Sequence, residues 1–470
     1  MSERPTTADE TTGRNGSFGS LYGADATPER QRDEFRSGNV PVAVYGLGKM
    51  GLPIATTLAL RCGNVVGVDL DESVVDAINE GACPVAGEPA LPETVATAVS
   101  NGALRATSDS ADAARASVYV VIVPTLLTED ERTDLSALEA AVRDVGANLD
   151  PGDAVFVEST VPPGTTENVV RPALAAESGL DPGEFGLAFC PERTSSGRAL
   201  RDIQYSYPKI VGGVDDESAR VAELVYGEVT SNDVLRVDGP TTAECVKLFE
   251  GLYRDVNIAL ANELATLVDE FDVDVRDAIE AANTQPYCDI HDPGAGVGGH
   301  CIPYYPHFVI QASEGPLDLL ETARAVNTRA ESFTARAVER ELERAGVDPA
   351  GATVALLGVT YRPGIDETRA TPAITIAREL TAAGADCYAI DPVCTDMSVV
   401  DATPLDLVDL PALDPDAVVL ITAHPEFEAI PWDRVAPAAA VDGRDALDPA
   451  ELGCPVYTIG RGRSSPHPGE

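Results

Sequence analysis

From residue 42 onward, short apolar runs alternate with glycine-rich turns and longer periodic stretches. Val42–Tyr45 is the first such run; a helical spacing follows to about Arg61, and a second run, Val65–Val68, ends on Asp69. Runs at 118–123, at Ala154–Val157 and just before Phe189 read as further strands. Between 241 and 271 the period changes. Val246, Phe249, Leu252, Tyr253, Val256, Leu260, Leu264, Leu267 and Val268 recur at helical spacing without an intervening proline. About 30 residues at 1.5 Å each give a helix of roughly 45 Å, and Thr241 with Glu244 has capping-box spacing. The last third repeats the first: a strand at 354–358, a helix at Pro372–Ala382, a strand at 387–390 ending at Asp391, and another at 418–422 near His424. Residues 1–38 show no periodicity and are expected to form a disordered tail.

The turn after the first run is Gly46-Leu47-Gly48-Lys49-Met50-Gly51, a GxGxxG between strand and helix, with Asp69 placed 23 positions after the first glycine at the next strand end. Glycines there allow a tight turn and close backbone approach, and the helix N-terminus favours a pyrophosphate. Asp69 can accept from both ribose hydroxyls and would repel a 2′-phosphate, so NAD is expected rather than NADP. Pro124 and Thr125, at the end of the 118–123 strand, would be delivered to the same crevice. The fold class is α/β: two Rossmann-like doubly wound domains joined by a long central helix. The expected boundaries are a tail at 1–38, an NAD-binding domain at 39–235, a central helical and dimerisation domain at 236–335, a second nucleotide domain at 336–462 and a short tail at 463–470.

Acidic residues outnumber basic ones, 77 to 33, for a net charge of −44 that no basic stripe offsets. This argues against nucleic acid or a membrane surface as partner. Only Lys49, Lys209 and Lys247 are lysines. An acidic, lysine-poor surface suits concentrated salt, where screening lengths shrink to a few ångström, so a halophilic setting is expected. A lysine kept where arginine would serve a surface equally marks a task arginine cannot do. The nine cysteines form no CxxC pair and no metal-type spacing, which points to reduced thiols inside a cell and to no metal. No apolar run approaches about 18 residues and no secretion segment stands at the N-terminus, so a cytoplasmic protein is expected.

Candidate chemistry gathers at a few sites. The stretch 294–306, GAGVGGHCIPYYP, closes on Cys301 between His300 and a Pro/Tyr run; glycines without Cβ let backbone and ligand approach closely, here against one thiol. A buried, inert cysteine is the alternative. The loop Glu158-Ser159-Thr160-Val161-Pro162-Pro163-Gly164-Thr165-Thr166 offers a polar wall, or Thr165 or Thr166 caps the next helix. Glu192, beside Pro191 and Arg193, is a general base or one half of a surface salt bridge. Lys247, Gly251 and Arg254 share one helix face, two cations and a gap that suit an anionic ligand. In the last third Tyr361-Arg362-Pro363-Gly364 and Arg369 supply planar forks for a diphosphate. Two nucleotide domains imply two nucleotides, one a cofactor and one carried by the substrate.

The wording of these motifs, GLGKMGLP at 46–53, ESTVPPGTT at 158–166, CPER at 190–193, VNIALANEL at 256–264 after Arg254-Asp255, and GVGGHC at 296–301, resembles the UDP-glucose/GDP-mannose dehydrogenase family over roughly 40–460. The resemblance implies oxidation of a nucleotide-sugar C6 alcohol to the uronic acid, reducing two NAD per turnover. It implies Cys301 as the nucleophile of a thiohemiacetal and a thioester. Lys247 would stabilise oxyanion character on the C6 oxygen, with Glu192 as base in thioester hydrolysis and Thr160 holding a water. Two positions depart from the family pattern: Gly251 stands where an Asn is usual, and Tyr305 where an Asp is usual. His300 before the cysteine and the Arg254-Asp255-Val256-Asn257 sequence look like the branch acting on UDP-N-acetylhexosamines. UDP-N-acetylmannosamine is the first expectation and UDP-N-acetylglucosamine the second, with Asn257, Gly298 and His300 among the substrate contacts. UDP-glucose, or a nucleotide-sugar sensor without turnover, is the alternative. A homodimer through the 241–271 helix is expected.

Overall fold

The computed structural model describes residues 19–128 and 130–466, which form two compact units meeting between Lys247 and Leu248. The first contains β1 (Val42–Tyr45), β2 (Val65–Val68), β3 (Leu104–Thr107) and β4 (Val118–Val121), then a small hairpin of β5 (Leu126–Leu127) and β6 (Thr133–Asp134). β7 (Ala154–Val157), β8 (Gly186–Phe189), β9 (Lys209–Gly213) and β10 (Val234–Arg236) follow. Apart from the hairpin they make one sheet in the order β10-β9-β8-β7-β4-β1-β2-β3, parallel except between β8 and β9. The second unit contains β11 (Thr353–Leu357), β12 (Asp386–Ile390), β13 (Thr403–Pro404), β14 (Ala417–Leu420), β15 (Ala439–Asp442), β16 (Val456–Thr458) and β17 (Gly462–Ser464). Their order is β13-β12-β11-β14-β15-β16-β17, with only the last pair antiparallel. Helix Gly239–Ala265 carries the chain from one unit into the next.

Alternation within a fully apolar strand explains the layers. In β1, Val42 and Val44 pack with Leu52 and Leu58 on one side of the sheet, while Ala43 and Tyr45 pack with Leu138 and Val142 on the other. Each of these buried Val and Leu side chains contributes about 1.5–3 kcal/mol, and both faces are covered, as parallel sheets require. The second sheet is covered likewise: Val354 and Leu356 lie in one cluster, Ala355 and Leu357 in the other.

Several expectations are corrected. Residues 19–38 are not an unstructured tail: Pro28–Arg36 is a helix whose N-cap is Thr27. Leu21 and Phe35 are fully buried, Gln31 donates to the Leu21 carbonyl at 3.0 Å, and Arg36 bonds Glu228 at 2.7 Å. Two apolar anchors are too few to leave a periodic signal. Positions 1–18 and 467–470 of the expected tails lie outside the described residues. At the other end, residues 463–464 belong to β17, paired with β16. The 241–271 pattern divides: the long helix ends at Ala265 and a single turn, Val268–Phe271, follows. Thr266 N and Leu267 N bond carbonyls three residues back, and the Thr266 hydroxyl returns to Glu263 O at 2.7 Å, which tightens the chain there. Helix Asp318–Arg344 runs unbroken through the expected 335/336 boundary.

Candidate active site

In the first sheet the strand order reverses between β1 and β4, and the crevice for a dinucleotide opens at their carboxyl ends. Gly46 closes β1 at φ +94°, and a Cβ there would stand 2.4 Å from the Ile122 carbonyl. A Cβ on Gly51 would stand 1.9 Å from the Gly46 carbonyl. Neither position accepts a side chain. Gly48 differs: nothing lies within 4 Å of where its Cβ would be. It faces open space beside a helix N-terminus that has no side-chain cap, the arrangement that lets a pyrophosphate reach backbone N–H groups. Lys49 and Met50 are half-buried in the same loop, whereas the Leu47 side chain is fully buried against Gly67 and offers only its backbone. The Asp69 carboxylate accepts from Leu47 N at 2.7 Å and Asp71 N at 3.0 Å and stays partly exposed, with lone pairs left for ribose hydroxyls. The residues present fit NAD.

The loops beside this crevice are tied together. The Thr125 hydroxyl donates to the Thr160 carbonyl at 2.5 Å, and the Ser159 hydroxyl donates to Val123 O at 2.8 Å while accepting from Val123 N at 2.9 Å. Pro124 is exposed. Thr165 and Thr166 do not cap the following helix: Thr165 donates to Pro162 O, and Thr166 donates to Glu244 Oε1 at 2.6 Å. Nor does Glu244 form a capping box with Thr241, because the helix already begins at Gly239. Its carboxylate instead accepts from Gly164 N at 2.5 Å and Thr166 N at 2.8 Å, and burial pushes its pKa up.

Glu192 is not a surface ion-pair partner. Its side chain is 12% exposed, Oε1 accepts from Thr194 N, and Oε2 lies 3.4 Å from Lys247 Nζ. Lys247, 7% exposed at its side chain, also donates to the Glu192 carbonyl. Arg193 turns its guanidinium to the Pro208 carbonyl at 3.0 Å and over the Tyr207 ring at 5.0 Å.

In the second unit, a chain of amides positions the cysteine loop. Gly294 N donates to Asn262 Oδ1 at 3.0 Å; Asn262 donates to Asn327 Oδ1 at 3.0 Å; Asn327 donates to Asp255 Oδ1 at 2.8 Å, which Arg324 also reaches at 2.5 Å. The glycine run is packed by this chain itself. A Cβ on Gly298 would stand 2.8 Å from both the Ala370 carbonyl and Tyr361 Cβ, and Gly299, at φ +103°, donates to Arg369 O at 2.9 Å. The α-carbon of Gly298 therefore faces protein. Among the nine cysteines, all of them described, Cys301 is the exposed one. Tyr305 N donates to its carbonyl at 2.9 Å as helix Tyr305–Ala312 begins.

The remaining candidates fall into two groups. Asn257 gives its amide to Asp289 O at 2.6 Å and its oxygen to His291 N at 2.8 Å, both within the fold, while Arg254 is exposed. His300 Nε2 lies 2.9 Å from Glu367 Oε2 and its ring meets Tyr361 edge-on at 6.2 Å, so its partner is a carboxylate rather than backbone. Tyr361 is pushed up to about 12 by burial and then by Glu367. Arg362 and Arg369 are partly buried on the same turn, the latter 5.9 Å over the Tyr304 ring.

Three stretches match models of one family: residues 40–230 its NAD binding domain, 241–329 its central domain and 355–449 its UDP binding domain. The chain belongs to the UDP-glucose/GDP-mannose dehydrogenase family. It is 37% identical over 426 residues to a UDP-N-acetyl-D-mannosamine dehydrogenase of Pyrococcus horikoshii, covering 90% of this chain and 99% of that one. The solved structure of the UDP-D-ManNAc dehydrogenase from Pyrococcus horikoshii matches with a TM-score of 0.82 at 35% identity, over 90% of this chain and 100% of that chain. A UDP-glucose dehydrogenase from Pyrobaculum islandicum matches with a TM-score of 0.79 at 29% identity, over 90% and 98%. The first unit thus carries the NAD-binding domain of a nucleotide-sugar dehydrogenase, and the second the domain for a UDP-sugar.

Sequence reasoning passed over one part of this dehydrogenase's first unit. Lys209 Nζ lies 2.8 Å from Glu158 Oε2 and 4.3 Å over the Tyr226 ring, and Tyr226 donates to Glu158 Oε1 at 2.5 Å. This buried trio anchors the loop that follows β7. The lysine scarcity was the available signal: Lys209 stands in a buried pair, as Lys247 does. Among the described residues no helix is long and apolar enough to cross a membrane.

Proposed function

We propose that this chain oxidises C6 of a UDP-N-acetylhexosamine, UDP-N-acetyl-D-mannosamine first, to the uronic acid through a covalent intermediate on Cys301. The observation that supports this best is Cys301 itself: the exposed thiol of nine, on a loop held at both ends, in a family whose models span 40–449. Relatives named UDP-N-acetyl-D-mannosamine dehydrogenase support the choice of sugar. Gly46, Gly48, Gly51 and Asp69 would hold NAD, which would supply the hydride acceptor for both oxidations at C6. Cys301 sulfur adds to the C6 aldehyde, forming the S–C bond of a thiohemiacetal as the carbonyl oxygen takes up a proton; loss of a hydride from that carbon and of the hydroxyl proton to solvent leaves a thioester. Glu192 takes a proton from the water that attacks the thioester, Thr160 orients that water, and the thiolate departs. Lys247 stabilises negative charge on the C6 oxygen. Arg362 and Arg369 hold the diphosphate.

The test is stoichiometry and choice. Two NADH per sugar are expected, with turnover abolished in Cys301→Ser, and the fastest rate with UDP-N-acetylmannosamine among it, UDP-N-acetylglucosamine and UDP-glucose in molar KCl. One NADH per sugar, or full turnover without the thiol, ends the covalent reading; preference for UDP-glucose ends the choice of sugar. A homodimer is proposed on the apolar face of helix Gly239–Ala265, where Phe249, Tyr253 and Leu260 are 56%, 53% and 49% exposed. Light scattering should give twice the chain mass, reduced to the monomer by Leu260→Glu; a wild-type monomer rejects it.

A further inference from the structure

Cys301 has a hydrogen-bond donor that no motif announced. The Tyr305 hydroxyl donates to Cys301 Sγ at 3.1 Å, and the ring behind it is 7% exposed. The ring occupies the notch at Gly251 on the long helix: a Cβ there would stand 2.3 Å from Tyr305 Cδ2 and 3.1 Å from Cγ. On its other side the ring stacks with Phe308, centroids 6.4 Å apart. One turn of backbone, Tyr304 N and Tyr305 N both bonding the Cys301 carbonyl, returns the side chain to the sulfur. The absent side chain at 251 and the large one at 305 are thus one packing unit.

We infer that Tyr305, seated in the space left by Gly251, is a catalytic residue that holds the Cys301 sulfur as the thiolate in the orientation for attack. The inference rests on the covalent role proposed for Cys301. A donor aimed at sulfur favours the charged form, the nucleophile, over the thiol. Because the ring is clamped between Gly251 and Phe308, the hydroxyl keeps its direction with no ordering needed when substrate arrives. Tyr361 stands against Gly299 close by, but its hydroxyl carries no bond to the sulfur among the described contacts.

Alkylation of Cys301 by iodoacetamide at pH 7, followed on its own peptide by mass spectrometry, reads thiolate character without substrate or NAD. In the full chain, Tyr305→Phe is expected to slow it three- to tenfold and to lower kcat at least tenfold, with KM for the UDP-sugar within twofold and an unchanged melting midpoint. Gly251→Ala, which displaces the ring, is expected to slow alkylation as much, and the double variant no further. Alkylation at the wild-type rate in Tyr305→Phe overturns the role. A wild-type rate in Gly251→Ala overturns the seating. If Cys301→Ser keeps full turnover, the covalent reading fails instead, and the alkylation result still stands on its own.

Discussion

At the end of β2, Asp69 accepts the Leu47 N–H at 2.7 Å; at the end of β12, Asp391 accepts the Val359 N–H at 2.8 Å. Both strand ends follow a glycine with positive φ, Gly46 at +94° and Gly358 at +83°, pressed against the neighbouring strand's exit at Ile122 and Thr422. The two units reuse one piece of backbone geometry for different ends. Around Asp69 the acid stays partly exposed and Gly48 looks into open space. Around Asp391 the same place is filled: Thr360 N and Oγ1 donate at 2.9 Å, and His424 Nε2 lies 3.1 Å away with both side chains fully buried. Burial alone would raise the Asp391 carboxyl, yet the bonds from His424, Thr360 and Val393 hold it well below the usual range. A switch point left open has room for a dinucleotide; the same point plugged by a Thr–His–Asp cluster is core.

Removing one acid at a time should break the likeness most sharply. Asp391→Asn is expected to cost about 2–4 kcal/mol in denaturant unfolding, because it disrupts a buried network. Asp69→Asn should stay within about 1 kcal/mol and weaken NAD instead. The sign with pH follows. Asp391's folded pKa lies below its ordinary 3.8, so its contribution is present above that pH and is lost as pH falls. Wild type and Asp391→Asn should converge in stability under acid; parallel curves would contradict the assignment.

The glycines come next. Gly46→Ala and Gly358→Ala should each cost about 1–3 kcal/mol from overlap and strained φ. Gly48→Ala should leave stability within about 0.5 kcal/mol while lowering NAD affinity at least tenfold. Equal loss of stability at all three would show that the first switch point is as filled as the second. Last comes Glu331, whose carboxyl is pushed up to about 7 by burial. An acid raised this way makes the folded state bind more protons, so stability falls as pH rises from about 4.5 to 7. Glu331→Gln should remove that slope and gain about 1–2 kcal/mol at pH 8; a pH-independent difference would place the cause in packing.

Much of this was legible in the residue string. Period and run length located β1, β2, β7 and β11 closely, since strand and helix spacing are local properties. The GxGxxG between strand and helix marked the turn of the NAD-binding domain. The string did not separate Asn257, whose amide closes a turn at Asp289 and His291, from residues free to meet a ligand. Nor did it show that Gly298 accommodates Tyr361 and Ala370.

By itself, then, the sequence determined the two βαβ frameworks and the dinucleotide turn, because each depends on residues near one another along the chain. Only the tertiary structure decided that Gly48 is the open glycine of its loop, that Asp391 is enclosed, and that Tyr305 enters the notch at Gly251 to reach Cys301. Those outcomes depend on which distant side chains compete for one volume, and close packing settles that only when the whole unit is assembled.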